Sequence, residues 1–286
     1  MKHEIKIGNS LEVLKTIDEK SIDCVVTSPP YWGLRDYGKE GQLGDENSPE
    51  EFVDNVVSIF REIWRVIKDE GTVWLNLGDS YYNYRPGDGQ SLIKQSIASN
   101  SQDLPVQCSR RANKIEGLKE KSLVGIPWRV ALALQKDGWI LRQDIIWHKP
   151  NPMPESVKDR CTKNHEYIFL LTKNRNYYYD HEAIQEYTVD GNERRNKRSV
   201  WTVNVKAYKG AHFATYPTEL IKPCILAGSP EEGTVLDPFS GSGTTGGVAL
   251  NNKRNYIGIE LNPDYAKISE NRINDEVTST LEDILH

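Results

Sequence analysis

The sequence lacks the features that mark secreted, metal-binding and membrane-spanning proteins. Its four cysteines form no Cys-x-x-Cys pair and no dense cluster, and its six histidines include no ligand-spaced pair. No apolar run approaches the roughly 20 residues that a bilayer span requires, and residues 1–5 lead into a strand rather than resembling a signal peptide. We therefore expect a cytoplasmic protein with no metal and no membrane contact.

A strong excess of positive charge is also absent. The formal net charge is −5, which speaks mildly against a nucleic-acid partner. The chain of 286 residues shows no internal repeat and has ample material for one hydrophobic core. We expect a single domain over residues 1–286.

The segment Thr-Ser-Pro-Pro-Tyr at residues 27–31 follows an apolar run that predicts the interior of a strand. The run occupies residues 22–26, and the two prolines end it because neither can donate a backbone hydrogen bond. Ser28 then lies at the carboxyl end of a strand, where open α/β sheets place their chemistry. Rigid carbonyls beside the flat ring of Tyr31 suit a planar ring with an amino group, such as a nucleobase. A Pro-Pro turn with a core tyrosine fits the same residues.

A glycine-rich turn near the carboxyl terminus predicts a nucleoside-binding site. The glycines between residues 241 and 246 satisfy the pattern G-x-G-x-x-G, and residues 233–236 before them read as a strand. A second strand at residues 255–260 ends in Glu260, whose carboxylate can accept both hydroxyls of a ribose. The glycine pattern alone is weak evidence. Strand, turn, helix, strand and terminal acid in this order predict a cofactor that contains a nucleoside.

The positions of the two motifs predict the order of the sheet. Only 26 residues follow Glu260, and Asn262-Pro263 opens one further helix among them. A nicotinamide-binding domain needs several more strands after its glycine turn, so the remaining strands must come from upstream. The sequence therefore predicts an α/β fold, a circularly permuted Rossmann-like sheet with helices on both faces.

Local patterns predict structure away from the two motifs. Ser48-Pro49-Glu50-Glu51 is a capping box, and it opens a helix that runs to Ile67 and is stopped by Gly71. Tyr177-Tyr178-Tyr179 predicts a further strand at a sheet edge. Residues 182–205 show neither helical nor strand periodicity, so we expect irregular chain there.

Both motifs, in this order, resemble those of the β-group amino-methyltransferases of DNA, the N4-cytosine and N6-adenine enzymes. Residues 27–31 are similar to the catalytic motif of this family, and Asp-Pro-Phe-Ser-Gly-Ser-Gly at 237–243 is similar to its S-adenosylmethionine motif. Shorter similar segments lie at residues 7–9, 147–154, 165–170 and 212–217. The resemblance covers most of the chain apart from roughly residues 80–120 and 182–205. Many relatives have Asp where this chain has Asn9.

The resemblance implies roles for the matching residues. The catalytic turn would consist of Ser28, Pro29, Pro30 and Tyr31. The cofactor S-adenosyl-L-methionine would be bound by Asn9, Ser28, Thr215, Asp237, Phe239, Ser240, Gly241, Gly243, Thr244, Glu260 and Asn262. Asp237 would either hold the turn through backbone amides or face the amino-acid end of the cofactor.

The expected reaction is methyl transfer to an exocyclic amine, whose lone pair is delocalised into the ring of the base. Acceptance of the amine hydrogens by Ser28 and the Pro29 carbonyl would free that lone pair, while Tyr31 stacks on the base. The base must leave the duplex, at a cost of roughly a few kcal/mol. Family N4-cytosine enzymes usually carry Ser at the position of Ser28 and N6-adenine enzymes usually Asp. We expect N4-cytosine methylation, with N6-adenine methylation as the alternative.

Other functions fit the residues less well. A nicotinamide-dependent oxidoreductase would need the missing downstream strands and a proton donor, and a non-catalytic DNA-binding module has no use for the cofactor turn. A Pro-Cys pair carries the nucleophile in carbon-5 cytosine methyltransferases, but Pro223-Cys224 precedes the cofactor strand here. We therefore interpret Cys224 as a core residue.

Two segments outside the resemblance are rich in basic residues, and the catalytic motif makes them candidates for DNA contact. One is an insertion at about residues 80–121, and the other is a DNA-recognition segment at about residues 182–210. The basic residues that we expect at DNA phosphates are Arg110, Arg111, Lys114, Arg194, Arg195, Lys197 and Arg198. The partners that the resemblance implies are double-stranded DNA, a second copy of the chain in a homodimer, and a cognate restriction endonuclease, in a bacterium, an archaeon or a phage-infected cell.

Overall fold

The computed structural model describes residues 1–33, 42–82, 115–206 and 216–285, with side chains described as far as Asn274. Most of the expected insertion, and with it Arg110, Arg111 and Lys114, lies outside the described residues, as does Thr215.

The described chain forms one large mixed sheet and one small hairpin. The strands are β1 (His3–Ile7), β2 (Ile22–Thr27), β3 (Ile67–Leu77), β4 (Ile140–His148), β5 (His165–Thr172), β6 (Glu186–Tyr187), β7 (Arg194–Arg195), β8 (Val200–Thr202), β9 (Thr234–Asp237) and β10 (Asn255–Glu260). The large sheet has the order β1-β10-β9-β2-β3-β5-β4-β8, and β6 pairs with β7. Only β5 runs antiparallel to its two neighbours in the large sheet.

Helices cover both faces of the large sheet. They are α1 (Ser10–Leu14), α2 (Pro49–Val66), α3 (Ile126–Lys136), α4 (Thr218–Gly228), α5 (Thr244–Asn251) and α6 (Pro263–Leu285). Helices α1, α2 and α3 pack in one hydrophobic core, which includes Val25 of β2. Helices α4, α5 and α6 pack in a second core on the other face, which includes Cys24 and Val26 of the same strand. This division follows from the alternation of side chains along a strand. Among the described residues, no helix is long and apolar enough to cross a membrane.

The predicted permutation is confirmed by the strand order. β9 and β10, which frame the glycine turn, lie between β1 and β2. β10 pairs with β1 and β9 pairs with β2, both in parallel. The last two strands of the chain therefore occupy the centre of one half of the sheet. As a result, the carboxyl ends of β2 and β9 are adjacent, which brings residues 27–31 and the glycine turn to the same edge.

The predicted boundary between α2 and the next strand is wrong. Ser48 caps α2 as expected, accepting a hydrogen bond from the backbone amide of Glu51 at 3.1 Å. The helix ends at Val66, however, and β3 begins at Ile67 and passes through Gly71. Ile67 is fully buried and pairs with β2, so sheet pairing prevails over the helical pattern. A β-carbon at Gly71 would lie 2.5 Å from the Ile67 side chain, which explains the glycine.

Two further expectations about the second half of the chain are wrong. Residues 177–179 form no strand, because β3, the strand beside them, already pairs with β2 and β5. Residues 182–205 are not irregular throughout, since they hold the hairpin β6–β7 and the strand β8. β8 pairs with β4 and buries Trp201. It has three residues, and only the middle one is buried, so it leaves no alternating pattern in the sequence.

Candidate functional site

One cavity lies along the edge of the sheet where the parallel strands end. It has a volume of about 730 Å³, and each strand of the large sheet contributes a residue at its end or within three residues of it. The lining residues contributed in this way include Asn9, Ser28, Gly78, Lys149, His165, Val205, Pro238 and Glu260. The turn at residues 28–31 and the glycine turn after β9 are therefore two walls of the same cavity, as the carboxyl edge of an open α/β sheet allows.

Ser28 and Tyr31 are joined by a chain of hydrogen bonds that ends at a carboxylate. The Ser28 hydroxyl donates to the Tyr31 hydroxyl at 3.2 Å, and the Tyr31 hydroxyl lies 2.8 Å from Oε2 of Glu166, to which it donates. Asn76 is a second acceptor for Tyr31, at 3.1 Å, and its own amide donates to Glu166 at 3.3 Å. Because the Ser28 proton points toward Tyr31, the lone pairs of Ser28 remain available to a ligand.

The ring of Tyr31 and the carboxylate of Glu166 are both held in place by their neighbours. A β-carbon at Gly78 would lie 2.5 Å from Cε2 of Tyr31 and 3.3 Å from Cδ of Glu166, so only glycine permits this packing. Lys149 donates to Oε1 of Glu166, and its ammonium lies 4.1 Å from the centre of the Trp147 ring. Both charges of this ion pair are mostly buried, which strengthens their attraction.

The carboxylate of Asp237 accepts hydrogen bonds from four donors on different parts of the fold. Oδ1 accepts from the Thr27 hydroxyl at 2.7 Å and from the Phe239 amide at 3.0 Å. Oδ2 accepts from the Thr245 hydroxyl at 2.6 Å and from the Tyr216 hydroxyl at 3.0 Å. Burial raises the pKa of Asp237 above its usual value, and burial likewise raises the pKa of Tyr216, well above its usual value. These bonds tie the glycine turn to β2, α5 and the start of α4.

Glu260 closes the glycine turn from the neighbouring strand. Its Oε2 accepts from the Gly241 amide at 2.9 Å, and its Oε1 accepts from the Asn262 amide at 2.9 Å. Burial raises the pKa of this carboxyl group above its usual value. Each carboxylate oxygen has two lone-pair sites, so both oxygens can still accept one hydrogen bond from a ligand in the cavity. Two adjacent hydroxyls, as in a ribose, match this arrangement.

Most residues that the sequence assigns to the site line the cavity. They are Asn9, Ser28, Pro29, Pro30, Tyr31, Phe239, Ser240, Gly241, Thr244, Glu260 and Asn262. Asp237 and Gly243 lie beneath the turn instead. Asp237 is 1% exposed and its four lone-pair sites are taken, so it holds the turn and does not face a ligand. Gly243 has φ +79° and packs against Ser269.

Several cavity residues were missed by the sequence reasoning. Lys149, Lys163 and Glu166 bring charge to the wall opposite the glycine turn, and His165 lies at the same wall. Burial lowers the pKa of both Lys163 and His165. Lys149, His165 and Glu166 belong to segments that resemble the family, but the resemblance gave them no role. Asp79 was not missed, because its place after a predicted strand suggests either a cofactor neighbour or a turn cap. It lines the cavity, and it caps α3 by accepting from the Gly125 and Ile126 amides.

The basic residues of the expected recognition segment divide into two kinds. Arg195 and Arg198 both pair with Glu186, at 3.2 and 2.6 Å. Arg194 and Lys197 instead lie over aromatic rings, Arg194 over Tyr187 and Lys197 over Trp201. Glu186 partly neutralises the charges of Arg195 and Arg198, whereas no carboxylate among the described residues forms an ion pair with Arg194 or Lys197.

Two observations limit the chemistry of the described residues. No cluster of His, Cys, Asp and Glu side chains among them could hold a metal ion. Cys224 is 1% exposed, and burial raises its pKa well above the usual value. This confirms the core position expected for Cys224, where no thiolate nucleophile forms.

Comparison with known proteins assigns the chain to a family. A family model described as DNA methylase matches residues 22–271. The Type II methyltransferase M.Cfr9I of Citrobacter freundii is 50% identical over 278 residues, which cover 96% of this chain and 88% of that protein. The Type II methyltransferase M.SmaI of Serratia marcescens is 48% identical over 271 residues, which cover 94% and 90%.

Solved structures show the same fold. The PvuII DNA methyltransferase, described as cytosine-N4-specific, aligns with a TM-score of 0.69 at 20% identity and covers 99% of this chain and 93% of its own. A DNA modification methylase of Thermus thermophilus, TTHA0409, solved in complex with S-adenosyl-L-methionine, aligns with a TM-score of 0.63 at 24% identity, covering 97% and 96%.

Truncation of Asp237 is expected to destabilise the whole fold. In Asp237→Ala the Thr27 hydroxyl and the Phe239 amide lose a buried acceptor, so we expect a loss of about 3 kcal/mol or more in the free energy of unfolding, measured with urea. Asp237→Asn is the matched control, because the hydroxyls of Thr245 and Tyr216 can turn to accept from its amide. A loss below about 1 kcal/mol in the alanine variant would contradict the role given to this carboxylate.

Proposed function

This chain belongs to the DNA methylase family, and we propose that it transfers a methyl group from S-adenosylmethionine to N4 of cytosine in duplex DNA. The observation that supports this proposal is the single cavity shared by Ser28, on the catalytic turn, and Glu260, beside the cofactor turn. A donor held by one wall can thus reach an acceptor held by the other. Much of the rate of such a transfer comes from holding the two reactants in line.

The cofactor fits the half of the cavity formed by β9 and β10. Glu260 would accept the ribose hydroxyls, and Asn9, which lines the cavity beyond the end of the neighbouring β1, would contact the adenine ring. Phe239 and Gly241 would line the path of the amino-acid part. When bound, S-adenosylmethionine supplies an electrophilic methyl group on a positively charged sulfur.

The catalytic turn would activate the amine of the base by accepting its hydrogens. The Ser28 hydroxyl donates to Tyr31, so its oxygen can accept one amine hydrogen while the Pro29 carbonyl accepts the other. The Tyr31 hydroxyl donates in turn to the negative Glu166, which polarises the chain and makes Ser28 a better acceptor. Both contacts draw the nitrogen toward tetrahedral geometry and so favour attack.

The same hydrogen-bond chain gives the leaving proton a route. As the nitrogen–carbon bond forms, the carbon–sulfur bond breaks and its electron pair stays on sulfur, which loses its positive charge. The nitrogen then releases one proton. Ser28 can take it and pass its own proton to Tyr31, which passes one to Glu166. No strong base is required, because the methylated nitrogen is itself acidic.

The choice of cytosine over adenine depends on Ser28. The family resemblance associates Ser at this position with N4-cytosine and Asp with N6-adenine, and the neutral Ser28–Tyr31 pair is what the structure contains. N6-adenine methylation is the second candidate, since Ser28 can accept from either amine. Carbon-5 methylation of cytosine by the Pro223-Cys224 pair has no support, because Cys224 is buried in the core.

The proposed partners follow from the reaction and the relatives. Duplex DNA would lie over the cavity mouth, with Arg194 and Lys197 toward its phosphates, and its methylation would take place in the cytoplasm. The names of M.Cfr9I and M.SmaI, both Type II methyltransferases, support pairing with a cognate restriction endonuclease. A homodimer is proposed by resemblance to the β group.

Replacement of Glu260 by Gln is expected to weaken the binding of S-adenosylmethionine. An amide group would face the fixed Gly241 or Asn262 donor and could not accept a ribose hydroxyl, so calorimetric titration should show a loss of about tenfold or more. Because burial raises the pKa of Glu260, wild-type affinity should also begin to fall, as pH is lowered, before an ordinary glutamate titrates.

Glu219→Gln is the matched control for this experiment, since Glu219 is exposed on α4 and pairs with Lys206. It should bind the cofactor as wild type does. Equal affinity in Glu260→Gln would contradict the ribose assignment. A wild type that binds no S-adenosylmethionine would contradict the proposed function as a whole.

Removal of the Ser28 hydroxyl is expected to slow methyl transfer by about a hundredfold, because an acceptor that acts as the amine changes geometry is lost. Tyr31→Phe should slow it by about tenfold, since Ser28 remains but its proton is no longer directed away from the amine. Cofactor affinity should stay near wild type in both variants. The measurement is transfer of a labelled methyl group, with mass spectrometry of the nucleosides.

The product distinguishes the candidates. Label in N4-methylcytosine supports the proposal, and label in N6-methyladenine moves it to the second candidate. Label in 5-methylcytosine would contradict direct transfer to an amine.

Charge reversal at Arg194 and Lys197 together is expected to weaken DNA binding and to reduce its salt dependence. The slope of log affinity against log salt should fall by about 0.9 for each phosphate that the variant no longer neutralises. Lys136→Glu is the control, because Lys136 lies at the end of α3, near the opposite edge of the sheet where β4 begins. An unchanged slope in the double variant would mean that these cations are only solvated surface.

A further inference from the structure

Met153 is an apolar side chain that the fold leaves in solvent at the wall of the cavity. It is 83% exposed, although it lines the same cavity as Ser28 and Glu166. Burial of a methionine side chain removes its apolar surface from water, which is favourable. In the folded chain most of the Met153 side chain stays in water, so its apolar surface is available to an apolar partner at the cavity mouth.

The loop that carries Met153, residues 149–164, is fixed at its base and along its length. The Lys149 amide donates to the Asn164 carbonyl at 2.7 Å, which closes the base where β4 ends and β5 begins. Asn151 donates to the Val205 carbonyl at 3.0 Å and accepts from the Val205 amide at 2.8 Å. The loop is thereby tied to the chain that follows β8.

The other arm of this loop is held by a carboxylate. Glu155 pairs with Arg160 at 2.7 Å and accepts from the Lys163 amide at 3.1 Å. Pro152 and Pro154 on either side of Met153 each fix φ near −65°, which limits the freedom of the backbone between them. An exposed hydrophobic residue on a fixed loop loses little conformational entropy when it is buried.

The apolar partner that suits Met153 is the gap in the base stack of duplex DNA from which one base has been flipped out. Extrusion of the target base leaves a space between the neighbouring base pairs. Apolar side chains, methionine among them, insert between base steps in other DNA complexes. Methionine is unbranched and polarisable, so it can enter the narrow space and contact the faces of the bases. Lys158, exposed on the same loop, suits the adjacent phosphates.

We propose that Met153 enters the base stack as the target base leaves it and fills the vacated space. This inference rests on the proposed function, because only a base-flipping enzyme creates such a space. It assigns Met153 a positioning role that stabilises the flipped state, without contact to the reacting atoms.

The test compares Met153→Ala with wild type on two forms of the DNA that wild type methylates. One form is fully paired. The other carries a pyrene nucleotide opposite the target base, and the pyrene ring fills the space in the stack. On paired DNA the variant should lose about tenfold in affinity and in single-turnover methylation rate. With pyrene both should return to within about twofold of wild type.

Two variants serve as controls. Met153→Leu keeps an apolar side chain of similar size and should stay close to wild type on paired DNA. Leu132→Ala removes another exposed apolar side chain, 54% exposed on α3 and away from the cavity, and should change neither measurement. Cofactor affinity should be the same in all four proteins.

Each outcome decides the proposal. Wild-type values for Met153→Ala on paired DNA would overturn it while leaving the proposed function intact. A tenfold loss that pyrene does not restore would also overturn it, since Met153 would then act on the base in the cavity. A wild type that methylates no DNA would overturn the proposed function first, and this inference with it.

Discussion

The structure depends on one buried carboxylate at the place where the two halves of the sheet meet. Asp237 accepts from Thr27 at the end of β2, from Thr245 in α5, from Tyr216 before α4 and from its own turn at Phe239. A carboxylate so deeply buried is tolerable only when all its lone pairs are satisfied. The requirement that these bonds form together fixes the glycine turn against β2, the strand that leads into the turn at residues 28–31. The distance between the two walls of the cavity is therefore set by hydrogen bonds that no ligand touches.

A second buried acid performs a similar task at the other wall. Glu166 receives hydrogen bonds from Tyr31 and Asn76 and an ion pair from Lys149, which come from three different segments of the chain. Each wall of the cavity thus has a turn at its surface and a carboxylate that holds the turn in place. The two differ in charge balance, because Asp237 is surrounded by neutral donors and Glu166 by a cation. Only the second arrangement can take up a proton that leaves the cavity, since Asp237 is closed off from it.

The permutation of the sheet and the two turns that form the facing walls of the cavity could be predicted from the sequence, because they follow from short local patterns. Residues 22–31 and 233–260 each combine a strand, a breaker and a distinctive side chain, and their order along the chain implies the permutation. The pairing of Glu166 with Tyr31 could not be predicted, because it joins residues 135 positions apart with no local pattern between them. β8 was missed for the same reason, since a three-residue strand is specified by its neighbour β4. The end of α2 was misplaced because Gly71 is a packing requirement within a strand, which looks the same in sequence as a helix stop.

The position of β10 in the sheet has a consequence for how this protein folds during its synthesis. β1 is an edge strand whose partner in the sheet is β10, and the residues joined there are 253 positions apart. At a synthesis rate of about 5–20 residues per second, β1 waits on the order of ten seconds or more on the ribosome before its partner exists. The Ser28 turn is made early, but β9 and β10, which frame the glycine turn, are the last two strands to be made. The cavity needs residues from both turns, so it can form only after those two strands have been synthesised.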